Sequence, residues 1–442
     1  MPLSELPIEL HEHVLDHLHD DPLSLRACSL THTAWLPIAR LHLFWTVRLD
    51  TARDCLRFLI TLDTTSESDG VGVGSLVRVL TLPAKMGFTQ LWRRTQARRA
   101  RLRLDLLCQL LRRVPNLEIL NMTNFEWDCF ADLICPQGAG VDLHDAVNTV
   151  FAFPQLKVLL LRCIIGRSIK EIIQTIAAFP SVTTLELSGI SCIECDRRPH
   201  HEPLDIAYDQ AMRIRIRELI VGPPDCGEHS MMRVLHALFN LPHGLQLRQL
   251  RWRLSRLVDD QELLDKMFHG SARTLEVLEV DSLYVEWLSA EDLSRYRALT
   301  AIILSEHTVH IPARWASALE VISSLAQKRL RHVELESTRQ HRSRVLSDRD
   351  LRSLTPRLID LHERCPTVSV TLGRYVQAGL NWRQTLKASH TEILRNVLEA
   401  GMRIAVVYTE LAVGGNQLPW IFRRGFHDPF RVVRSGYFTL SA

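Results

Sequence analysis

One short pattern recurs from residue 77 to residue 335 and constrains this chain more than any other feature. It is an apolar residue, two others, an apolar residue, one other, and an apolar residue. The copies are Val77-Leu80-Leu82, Leu117-Leu120-Met122, Leu156-Leu159-Leu161, Val182-Leu185-Leu187 and Ile216-Leu219-Val221, then Leu247-Leu250-Trp252, Leu275-Leu278-Val280, Leu299-Ile302-Leu304 and Leu330-Val333-Leu335. Val368 to Leu372 reads as a further, frayed copy. The central residues lie 24 to 40 positions apart. Patterns that suit helices fall between them, most clearly Ile169 to Phe179, Met231 to Phe239, Glu262 to Phe268, Trp315 to Leu325 and Leu351 to Leu361. Pro115, Pro154 and Pro180 mark the turns before strands.

One strand and one helix cannot hide their own apolar side, whereas stacked units can, and the strands then form one parallel sheet. The pattern resembles a leucine-rich repeat. Most intervals exceed the usual spacing of about 20–29 residues. The Asn or Cys expected at the turn is mostly missing; Asn124, Cys163 and Ser188-Gly189 come nearest. The body therefore reads as an irregular α/β leucine-rich-repeat-like solenoid with a parallel strand stack. The competing organisation is a doubly wound α/β domain, which would need fewer strands, longer helices and a nucleotide-binding loop.

The first fifty residues are different. Leu10, Val14 and Leu18 recur every fourth position with Leu15 beside them, which predicts one apolar stripe on a helix running to about His19. Glu9, Glu12, His13, Asp16 and His17 mostly fill the other positions, and several histidines of this helix fall at the spacing of a solvated face. Pro7 suits the first helical position. Asp21 and Pro22 predict the start of a second helix, and Thr31 the cap of a third that carries Trp35, Ile38, Ala39 and Leu43. Phe44 to Leu49 alternates as a short strand would. So small a helical unit is marginal unless it packs against something. Its apolar surplus is either a docking face or a cap over the end of the next domain.

The landmarks Leu6-Pro7-Ile8-Glu9, Leu23 to Leu25, Cys28, Trp35, Arg40 and Leu43-Phe44 stand in order at the head of the chain. Together they resemble an F-box, here joined to a degenerate repeat body of the fungal type. The resemblance covers about a tenth of the chain. It implies a non-catalytic substrate-recognition adaptor of an SCF-type ubiquitin ligase. Its partners would be a Skp1-like adaptor, through it a cullin, and a protein substrate. Leu6, Pro7, Leu10, Val14, Leu23, Leu25, Cys28, Trp35 and Leu43 would be the Skp1-binding set, with Trp35 weighted towards the core. The alternative is a repeat scaffold without a ligase role, whose N-terminal helices act only as a cap. The domains expected are a head over 1–50, a strand and flexible linker over 51–75, the repeat body over 76–410 and a terminal cap over 411–442.

Other chemistry finds little footing. A net charge of +3 gives no argument for nucleic acid. The strongest basic run is 85–113, where Arg93, Arg94, Arg98 and Arg99 form either a solvated helix face or a surface for an acidic or phosphorylated partner. Cys192 and Cys195 have metal-ligand spacing, and His200 and His201 follow. A second pair, for which Cys226 and His229 are the nearest residues, is needed for a zinc site, so the expectation is no metal and no cofactor. Phosphate loops, nucleophile elbows and His-Glu-x-x-His are absent from the sequence. Scattered cysteines, no leader-like run and no apolar run of about 18 residues point to the cytoplasm or nucleus, away from membranes.

Overall fold

The computed structural model describes residues 7–19, 21–66, 72–82, 106–123, 153–166, 168–193, 213–222, 228–252, 266, 269–281, 296–306, 312–324, 329–337, 348–377, 391–411 and 434–440. The chain divides into two compact units. The first holds Met1–Arg217 and Pro224–Leu245, the second Glu218–Pro223 and Gln246–Ala442.

The first unit begins with three helices: α1 (Ile8–Asp16), α2 (Pro22–Thr31) and α3 (Trp35–Trp45). Asp21 caps α2, accepting the Leu23 and Ser24 amides at 3.1 Å each, and Pro22 takes the first helical position as expected. Two boundary expectations are corrected. Pro7 precedes α1 in extended geometry instead of opening it. Thr31 ends α2 instead of capping α3, and its hydroxyl donates back to the Cys28 carbonyl at 2.9 Å. The strand β1 is only Thr46–Arg48, because Phe44 and Trp45 complete α3.

The segment expected to be a strand and linker contains a fifteen-residue helix, α4 (Ala52–Ser66). Its first turn is a capping box. The Thr51 amide and hydroxyl donate to Asp54 at 2.9 and 2.7 Å, and the Asp54 amide donates back to the Thr51 hydroxyl at 3.2 Å. Cys55, Phe58, Leu59 and Leu62 fall at helical spacing and are buried. Burial, then the Asp54 charge, pushes the Cys55 thiol up to about 11, so it sits in the core as a neutral side chain. A short 3-10 helix, Val73–Leu76, leads into the sheet. A side chain at Gly74 would collide with the Arg113 carbonyl, so only glycine allows that approach.

The strands of this unit are β1, β2 (Val79–Leu82), β3 (Ile119–Thr123), β4 (Val158–Arg162) and β6 (Thr184–Ser188), side by side in that order and all parallel. Val47, Leu80, Leu120, Leu159 and Leu185 stand in one register row. Beyond it β5 (Ile165–Gly166) pairs with β7 (Ser191–Cys192). The helix α5 (Ile169–Ala177) turns Ile169, Ile172, Ile173 and Ile176 inward, and Ser168 caps it. The unit also contains α6 (Glu228–Phe239). The strand β6 is buried at all five positions, as befits a parallel strand covered on both faces. Its Glu186 is held by the Arg162 guanidinium of β4 at 2.7 and 3.1 Å.

The second unit repeats the plan with β8 (Glu218–Val221), β9 (Gln249–Trp252), β10 (Val277–Asp281), β11 (Ala301–Glu306), β12 (His332–Ser337), β13 (Ser369–Gln377) and β14 (Arg403–Leu411), all parallel. One row contains Leu219, Leu250, Leu278, Ile302, Val333, Val370 and Ile404. The frayed copy near Val370 is thus a full member of the row. The helices α7 (Pro312–Ser324) and α8 (Asp348–Arg364) pack on each other. After α9 (Arg395–Glu399), Gly401 adopts a left-handed φ of 93° and turns the chain into β14. A last strand, β15 (Arg434–Leu440), runs antiparallel along β14.

In every one of the nine copies the three apolar positions are buried, none more than 4% exposed. Among the described residues, neighbouring strands in each unit follow chain order without reversal, so neither shows there the switch point that a doubly wound sheet requires. Single-direction stacking with strand–helix alternation makes the chain an α/β protein built on parallel strands.

Candidate docking face

The three N-terminal helices hold a small core of their own. Leu15 of α1, Leu25 of α2 and Ile38 of α3 are its buried centre, with Leu18, Cys28, Trp35 and Leu43 packed against them. His11 is also buried. The indole N–H of Trp35 donates to His11 Nδ1 at 2.8 Å, tying α3 to the first half of α1. At the other end of α1, His42 Nε2 lies 3.1 Å from Asp16, and His19 Nδ1 lies 2.9 Å from His42 Nδ1. The third helix faces both ways. Its last residue accepts the Arg78 amide through the Trp45 carbonyl at 3.0 Å, and the Arg78 guanidinium lies over the Trp45 ring.

The apolar arc of α1 is wider than this core can cover. His11 and Leu15 turn inward, while Ile8, Leu10 and Val14 remain 50%, 48% and 47% exposed. On α2, Leu23 and Leu30 are 74% and 89% exposed. Single exposed apolar side chains are ordinary on a protein surface. Five on two consecutive short helices are a concentration worth explaining. Two further aliphatic residues, Leu56 and Ile60, are exposed one turn apart on α4.

The nine docking residues expected from sequence therefore separate into groups. Leu10, Val14 and Leu23 are exposed, and Pro7 is exposed at the head of α1. Cys28, Trp35 and Leu43 are partly buried on the head's core. Leu25, at 1% exposure, is a correction: it belongs to the core and offers no surface to a partner. Leu6 lies outside the described residues. Ile8, from the landmark Leu6-Pro7-Ile8-Glu9, and Leu30 belong with the exposed group although neither is in the expected docking set. Both are readable as apolar positions off the inward stripe.

Arg93, Arg94, Arg98 and Arg99 lie outside the described residues, as do Cys195, His200, His201 and Cys226. Cys192 is buried in β7, and its amide donates to the Ser230 hydroxyl at 3.0 Å. Among the described residues no group of three or more His, Cys, Asp or Glu is placed to hold a metal. Among them, too, no helix is long and apolar enough to cross a membrane. Family models and curated proteins were compared with the whole chain, and neither comparison produced a match.

Proposed function

We propose that this chain is a substrate-recognition adaptor of an SCF-type ubiquitin ligase. Its first three helices act as an F-box that docks on a Skp1-like protein and through it a cullin. The strand-and-helix body acts as a solenoid that holds a protein substrate. The chain itself performs no covalent chemistry. It supplies proximity, raising the effective concentration of a substrate beside a loaded conjugating enzyme.

One observation carries this reading. The head keeps Ile8, Leu10, Val14, Leu23 and Leu30 in water although it has a core to pack them on. A helical lid that only closed the end of the body would turn such residues inward. Apolar side chains exposed on two helices are the raw material of a partner interface, where a few buried anchors carry most of the binding energy. The order of the sequence landmarks from Pro7 to Leu43-Phe44 supports the same identification.

The test is co-purification of the full chain with a Skp1-like adaptor. Leu10→Asp and Val14→Asp place a charge on exposed positions, so the fold should survive with unchanged circular dichroism. Adaptor binding should fall about thirtyfold or more, the effect of losing a hot spot worth roughly 2 kcal/mol. Undiminished binding by both variants would overturn the assignment.

A further inference from the structure

We propose that His13 and His17 form a two-histidine site for a zinc-class cation on the outer face of α1. The two residues are one helical turn apart, and side chains at that spacing are neighbours on a helix surface. Both residues are exposed, and their rings stand 4.8 Å apart with 69° between the planes. Two imidazoles held by one tetrahedral zinc through bonds of about 2.1 Å have ring centres about 5 Å apart. The helix therefore already holds the pair at a chelating distance. Neutral imidazole suits zinc, copper and nickel, whereas magnesium and calcium take oxygen ligands.

The other histidines of the head have their nitrogens engaged. His11 Nδ1 accepts the Trp35 indole, and His32 Nδ1 accepts the Ala34 amide at 3.2 Å. His19 and His42 meet through Nδ1, and His42 Nε2 faces Asp16. His13 and His17 instead meet only each other's rings among the described residues. Two protein ligands leave a tetrahedral ion with two open positions. Water fills them in the isolated chain. His13 is three positions after Leu10 and His17 three after Val14, so the ion sits at the rim of the apolar side chains that α1 leaves in water. A protein docking on those side chains meets the open positions, and a histidine, cysteine or carboxylate on it would complete the shell. The site itself is a property of α1 and does not depend on the adaptor reading.

The test uses the full chain with Zn2+ as the probe, at about pH 7.5, above the range in which histidine charges. Diethyl pyrocarbonate acylates an imidazole nitrogen that has a free lone pair. Tandem mass spectrometry of the peptides reads that modification residue by residue, which separates this pair from the rest of the chain's 20 histidines. Zn2+ should slow modification of His13 and His17 together, with one midpoint, and Mg2+ at the same concentration should leave both rates unchanged. In His17→Asn the zinc concentration that protects His13 should rise about tenfold or more, and in His13→Asn that for His17 likewise, because each ring loses the other's effective concentration. Both positions face water, so both variants should keep the natural circular dichroism; His13→Gln and His17→Gln replace any that do not. Protection of one histidine that survives loss of the other overturns the site. So does equal protection by Mg2+, or modification indifferent to Zn2+.

Discussion

Adjacent leucines on α2 have opposite surroundings. Leu23 stands in water while Leu25, two residues on, is locked between α1 and α3. Truncating Leu25 removes packing that nothing replaces, and Leu25→Ala should destabilise the head by about 2–4 kcal/mol. Leu23→Ala should leave stability within about 0.5 kcal/mol, because its side chain touches little. Chemical denaturation read by tryptophan fluorescence checks both. On the adaptor reading, the order reverses for binding once the folded fraction is accounted for: Leu23→Ala weakens it and Leu25→Ala does so only through unfolding. A fluorescence midpoint that moves equally in the two variants would remove the distinction. Periodicity could not have made it, since both residues satisfy an apolar-helix pattern and three helices decide which of the two faces inward.

At the scale of elements, a cap marks where α2 begins. The Ser24 hydroxyl and amide, with the Leu23 amide, hold the Asp21 carboxyl below its ordinary value. The group binds a proton less readily folded than unfolded. Its contribution is therefore present above the ordinary carboxylate range and lost as the pH falls through the lowered value. Asp21→Ala should remove this contribution at neutral pH. Asp21→Asn should keep the cap and erase its acid sensitivity, since asparagine caps well without titrating. Thermal melts of the three chains from about pH 3 to about pH 7 compare them; parallel curves for aspartate and asparagine would show that the cap does not titrate with folding.

The same scale shows why one element was missed. Residues 63–75 are rich in Thr, Ser, Asp and Gly and read as a linker, yet Asp63–Ser66 finish α4. The signs of that helix lay upstream in Thr51-x-x-Asp54 and in the spacing of Cys55, Phe58, Leu59 and Leu62. Its inner face is sealed, and the Arg113 guanidinium pairs with Asp63 from a segment fifty residues away. That partner lies beyond any local pattern. The strands were legible for the opposite reason. Each copy has three apolar positions at a fixed offset, and the offset survives however long the intervening segment becomes. Val47, in the strand that the alternation of Phe44 to Leu49 predicts, and Ile404 extend the register rows at the ends of the two units.

For the whole molecule the open question of any sheet is its edge. The nine-residue strand β14 is covered on one side by β13 and on the other by the antiparallel β15. Without β15 a long strand would show unpaired N–H and C=O groups, a template for another chain. Removing residues 434–442 should therefore raise concentration-dependent association. Light scattering against the full chain measures it, and an unchanged monodisperse profile would mean that β15 is not what keeps this edge from pairing.

The order and parallel direction of the repeat strands follow from the spacing of apolar residues. Each short unit exposes an apolar side, and only a neighbour of the same kind can cover it. Spacing has no means of saying which of several equivalent leucines lands inside a small helical cluster. It is equally silent on a histidine amid acidic and basic neighbours that is drawn into the core by an indole from a helix two elements away. Those outcomes depend on distances between separate elements, and only their assembly supplied them. So it is with the surface of the head: the sequence carried an apolar surplus, and packing decided which part of it remained in water.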